Sequence, residues 1–146
     1  MSASPVHPST LAPHELSFSS DSEIFHIVAR GTLSGEHMAT ILASLAEYRD
    51  NHPNAPLFLL VDLQKATGIA PEARLAVANR AKQRPGVMFM AFSGGSLTVR
   101  TVVGLLVKAV GVASKTYRLS TITASSESEA RAWLDEHRRR YAAGQT

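Results

Sequence analysis

The chain has 146 residues, of which 45% are hydrophobic and 18% charged, with a net charge of +3. Those values suit one globular domain with enough core to fold without staples. The absence of cysteine excludes disulfides, thiolate catalysis and Cys-based zinc or iron–sulfur sites. No apolar run reaches the ~18–20 residues that span a bilayer. Residues 1–13 lack the basic start and apolar block of a secretory signal, so a cytoplasmic protein is expected.

The charge is unevenly spread. Residues 1–72 hold eight acids against three basic residues, a local −5, and residues 127–146 hold four of each. Residues 73–126 hold eight basic residues and no acid. Such a segment is either an ordinary solvated face or a basic face that attracts an acidic protein, a phosphate-bearing ligand or an anionic lipid surface. Nucleic acid is not expected, because few aromatics are present to stack bases and no helix is dense in Arg and Lys.

In chain order, residues 1–13 contain three prolines and little to bury, and read as a flexible leader. His14–Ser20 and Glu23–Ala29 read as strands joined by Ser20-Asp21-Ser22 into an antiparallel hairpin. Arg30-Gly31-Thr32-Leu33 should break the second strand. Ser34 is a good helix N-cap, with Glu36 in the first turn. Met38, Ile41, Leu42, Leu45 and Tyr48 then recur at steps of three and four, one apolar stripe on a helix of roughly four turns.

Leu57–Leu63 is a near-continuous apolar run, which marks a strand buried on both faces of a parallel sheet. It ends at Asp62 and opens into an expected loop, 64–69. Pro71 and Glu72 then start an alanine-rich helix that runs to Arg84, with Leu75 and Val77 as its larger contacts. Val87–Phe92 is a further apolar strand. Ser93-Gly94-Gly95-Ser96 is a tight turn into a third helix, about Leu97 to Val110, which Gly111 should stop. Tyr117–Thr123 is the last strand. Ser126 and Glu129 have capping-box spacing and open a fourth helix carrying Ala130, Trp133, Leu134 and Tyr141.

The reading is therefore an α/β protein with a single mostly parallel, mixed β-sheet and four helices in the order β-β-α-β-α-β-α-β-α. One domain spans 14–141, with a flexible tail at 142–146.

Few chemistries find support. The turn at 93–96 is not a Gly-x-Ser-x-Gly elbow, and no histidine follows as a partner. Six histidines show no His-x-x-x-His or His-Glu-x-x-His spacing, so no metal site is expected. His26 reads as an exposed or satisfied strand residue. Asp62 has no second carboxylate close in sequence, which argues against an acid–base pair. No catalytic residue and no cofactor are assigned. Backbone N–H groups of the 93–96 turn, with Arg100 one turn on, could bind an anion, or the turn could be a plain β–α connection.

Several local patterns resemble one family. The strand followed by Arg30-Gly31-Thr32-Leu33-Ser34 and a helix is one. Leu60-Val61-Asp62-Leu63 with Pro71-Glu72-Ala73-Arg74 is another, as is Ala91-Phe92-Ser93-Gly94 before a helix. With Ser126 to Leu134, these resemble the SpoIIAA-like group of the wider STAS fold, over roughly residues 14–140. That group is typified by anti-sigma factor antagonists and related to Sec14-type lipid-binding domains.

The resemblance implies a non-enzymatic regulatory or protein-interaction module. Its partner would be an acidic protein surface or an anti-sigma-type regulator, and a homodimer is compatible with the fold. The Sec14 relation implies the alternative, a carrier or sensor of a lipid or other apolar or anionic small molecule. Antagonists of this type carry a phosphorylatable serine at the start of the second helix. Here the stretch is Thr67-Gly68-Ile69-Ala70-Pro71, and Thr67 is its only hydroxyl. The candidate binding residues are Asp62, Lys65, Thr67, Arg74, Ser93, Ser96 and Arg100.

Overall fold

A computed structural model describes residues 4–5, 11–83, 85–113, 115 and 117–144. The strands are β1 (Ser4–Pro5), β2 (Glu15–Ser19), β3 (Ile24–Leu33), β4 (Leu57–Ile69), β5 (Gly86–Ser93) and β6 (Tyr117–Ala124). The helices are α1 (Gly35–Asn51), α2 (Pro71–Gln83), α3 (Leu97–Ala113) and α4 (Glu127–Ala142). The strands lie in one sheet in sequence order, β1-β2-β3-β4-β5-β6. The β1–β2 and β2–β3 pairs are antiparallel, and β3 through β6 run parallel. The expected α/β architecture and element order are therefore present, preceded by the two-residue β1. No helix among the described residues is long and apolar enough to cross a membrane.

Alternation along β4 divides the core in two. Leu57, Leu59, Val61 and Leu63 face one side, where they join Met38, Ile41 and Leu45 of α1 and Val99 and Val103 of α3. Phe58 and Leu60 face the other side and meet Ala130 and Leu134 of α4. A strand covered on both faces needs apolar residues at every position, and this is why the run shows no polar alternation. Three helices thus cover one face of the sheet, and α4 covers the other.

Local chemistry sets the helix starts. Ser34 Oγ accepts the His37 N–H while His37 Nδ1 accepts the Ser34 N–H, a reciprocal cap for α1. Ser126 Oγ likewise accepts the Glu129 N–H at the start of α4. The return arm of that cap differs from expectation, since Glu129 Oε1 takes the N–H of Ser125, not of Ser126.

Four expectations are corrected. First, β3 does not break at Arg30. Register shifts between Val28 and Arg30 and between Gly31 and Thr32 absorb the irregularity, with Gly31 at φ 83°, so the strand continues to Leu33. Second, residues 64–69 are not a loop. They extend β4 and pair with that continuation, Arg30 opposite Lys65 and Leu33 opposite Ile69. Third, Gly111 does not stop α3, which runs on to Ala113. Fourth, Leu75 is not a packing contact of α2; it is 61% exposed, and Ala73 and Ala81 are the buried positions.

Part of the expected leader lies outside the described residues. Within the rest, the packed body begins before residue 14, because Leu11 is only 1% exposed and belongs to the main core. Of the tail 142–146, residues 145–146 lie outside the described residues.

Candidate functional site

The helix-covered face is not filled. Between the sheet and α1, α2 and α3 lies a cavity of about 110 Å³. Its wall takes Leu59, Val61 and Leu63 from β4, Met88 and Met90 from β5, and Val103, Leu106, Val107 and Val110 from α3. Every described lining residue is apolar except Arg80 and Tyr117. Ala81 of α2 lines this space, and its small side chain fills less of the gap between helix and sheet than leucine would. A void this apolar does not hold water stably, and an engineered apolar cavity of about 150 Å³ in another protein admits benzene.

Two arginines border one end of the cavity. A smaller space of about 30 Å³ shares Leu42, Leu45, Arg80, Met88 and Tyr117 with the main cavity and adds Arg49. Arg49 sits in the last turn of α1 and is 8% exposed. Its Nη2 donates to the Val87 carbonyl at 3.4 Å, and its guanidinium carbon lies 5.6 Å from the Tyr117 ring centroid. Gly86 makes room for it, because a Cβ there would come within 2.4 Å of Nη1. Among the described residues no carboxylate forms an ion pair with Arg49 or Arg80. Without a carboxylate partner among the described residues, this buried guanidinium is suited to an anion. Tyr117 donates its hydroxyl to Met88 Sδ at 3.7 Å. Burial raises its pKa, and the nearby Arg49 charge offsets part of that rise, so the phenol stays neutral at physiological pH.

The residues singled out from sequence are not gathered at this cavity. Asp62 and Ser93 are neighbours in the register of β4 and β5, and Ser93 is buried. Asp62 Oδ1 accepts the Gln64 N–H at 2.9 Å, a local turn bond. Thr67 Oγ1 lies 2.9 Å from Thr32 Oγ1 on the β3–β4 extension, and Lys65 is exposed on the same extension. Ser96 caps α3 by accepting the Val99 N–H at 3.2 Å. Arg100 is exposed one turn on, and Arg74 lies on α2 with its Nε buried and without a hydrogen-bond partner among the described residues. Gly94 and Gly95 hold φ values of 74° and 94°, so this turn is a tight connection packed on Gln64 and Leu63.

Sequence reasoning missed Arg49, Arg80 and Tyr117 as a group. Each looked ordinary in its own element, and only the crossing of α1, α2 and β6 joins them. Comparison with models of known families, with curated proteins and with solved structures finds no match for this chain.

Proposed function

We propose that the chain is a non-enzymatic binding module of STAS type that carries or senses a small amphipathic anion. The observation that supports this reading is the apolar cavity of about 110 Å³, with Arg80 in its wall and Arg49 in the smaller space beside it. An apolar group of about six carbons suits the main space by comparison with benzene-sized cavities. A carboxylate suits the cationic end, where charge-assisted hydrogen bonds are the strong ones.

The test is a titration of the purified chain with hexanoate and with hexanol, read by calorimetry. Hexanoate should bind at least about tenfold more tightly, which corresponds to one charge-assisted hydrogen bond. Absence of binding by both compounds overturns the reading. Equal binding by both retains a ligand cavity and removes the role of the two arginines.

A second reading has its own support. Leu75, Leu97, Leu105 and Val112 are large apolar side chains that stand exposed on α2 and α3. They lie within the acid-free stretch 73–126. Exposed apolar residues on a basic face suit an acidic protein surface or an anionic lipid surface. On this reading the cavity is filled or emptied where that face docks.

A further inference from the structure

The opposite face of the sheet carries a separate feature. His26 on β3, Asp62 on β4 and Glu127 at the start of α4 each present one donor atom, and these atoms lie within 4.8 Å of one another. Strand register explains the first two. Val28 stands opposite Asp62 and His26 opposite Leu60, so His26 and Asp62 are diagonal neighbours on the face that α4 covers. The Ser126 cap then places Glu127 over that edge of the sheet.

We propose that His26, Asp62 and Glu127 form a binding site for a divalent cation of the manganese-to-zinc series. One imidazole and two carboxylates neutralise a dication and suit borderline ions, with the remaining positions taken by water. A second observation points to a ligand. His26 Nε2 is buried, yet it has no hydrogen-bond partner among the described residues. Buried polar atoms are ordinarily satisfied, and an orphan beside two carboxylates calls for an electrophile or a donor.

Donor atoms bound to one ion at about 2.1 Å lie roughly 3–3.5 Å apart, so the group must close by about 1–2 Å. Glu127 can supply that movement, because its side chain is exposed. Asp62 is better fixed, since the Gln64 N–H holds Oδ1. One group competes with the ion. Arg131 Nε donates to Glu127 Oε2 at 2.9 Å, and the incoming cation must displace it. The histidine spacing in the sequence could not show this site, because its three residues come from three elements. The three residues lie on the opposite face of the sheet from the cavity.

The experiment uses the tag-free full chain, stripped with chelator and titrated with Mn²⁺ and with Zn²⁺. Mn²⁺ is followed by its paramagnetic resonance signal and Zn²⁺ by calorimetry, and thermal unfolding is recorded alongside. One ion per chain should bind and raise the unfolding temperature, as any ligand specific to the folded state does. His26→Ala, Asp62→Asn and Glu127→Gln should each weaken binding by at least about tenfold. Arg131→Ala should leave binding intact or tighten it by removing the competitor. Glu127→Gln keeps the test decisive if the two strand variants fail to fold, because residue 127 is exposed. Absence of a one-to-one complex, or equal binding by wild type and Glu127→Gln, overturns the site.

Discussion

The guanidinium of Arg49 lies 5.6 Å from the ring centroid of Tyr117 and fills the space that Gly86 leaves open. This arrangement couples the last turn of α1 to β5 and β6 at the end of the apolar cavity. It places a buried charge in the small space beside that cavity. Arg49→Met keeps much of the side-chain volume and removes the charge. It should weaken hexanoate binding by about tenfold or more and leave hexanol unchanged. Paired calorimetric titrations of the two compounds check this.

Gly86→Ala reaches the same group from the other side. The added Cβ must displace the Arg49 guanidinium, the far end of a flexible side chain. Hexanoate affinity should therefore fall in parallel with Arg49→Met, while urea denaturation shows a loss of only about 1–3 kcal/mol. A variant that keeps wild-type affinity for hexanoate separates the anion from Arg49.

The centre of the sheet should respond differently. Leu60 is fully buried on the α4 face, beside Phe58 and Phe89. Leu60→Ala should cost about 2–5 kcal/mol by lost transfer energy and cavity formation. Denaturant unfolding followed by circular dichroism measures it. Ligand affinity, expressed per folded molecule, should not change, because Leu60 lies outside the cavity wall.

Acid should destabilise the protein through His14. The residue is 3% exposed; Nδ1 accepts the Arg30 backbone N–H at 2.9 Å and Nε2 donates to the Thr32 carbonyl at 3.2 Å. Burial lowers its pKa below 6.5, and the His37 ring of α1 and Arg30 of β3 lower it further. Protonation of Nδ1 would remove the acceptor that Arg30 uses. Above pH 6.5 the ring is neutral in both folded and unfolded chains, and this contribution is complete. As pH falls through 6.5 the unfolded chain binds a proton that the folded chain resists, so stability declines until the folded pKa is passed. In chelator-containing buffer, the urea midpoint should be lower at pH 5.5 than at pH 7.5, and His14→Gln should flatten that dependence.

The outer side of α3 has its own expected response. Leu97, Leu105 and Val112 are exposed, Val112 to 86%, and changing all three to serine should alter folding stability by only about 0.5 kcal/mol per site. If this face docks on anionic lipid, the triple variant should lose sedimentation with phosphatidylglycerol vesicles that the wild type shows. Neither form should sediment with phosphatidylcholine vesicles at physiological salt. Wild-type protein that ignores both vesicle types leaves an acidic protein surface as the occupant for this face.

Local sequence patterns determined most of the architecture. The unbroken apolar run 57–63 determined a strand buried on both faces, the Ser34 cap determined where α1 starts, and the alternation of elements determined a mostly parallel sheet. These are short-range signals, since strand period, helix period and capping are each written within one element. Gly31 marks where they ended. Its positive φ looks like a strand break in sequence, but tertiary pairing with β4 turned it into a bulge and made residues 64–69 a strand. Tertiary structure alone decided the chemistry of the two faces. Arg49, Arg80 and Tyr117 meet through helix packing, and His26, Asp62 and Glu127 meet through register and the placement of α4. Each residue of these groups is ordinary in its own segment, and what distinguishes it, a buried charge or an unsatisfied nitrogen, exists only once distant elements remove water from around it.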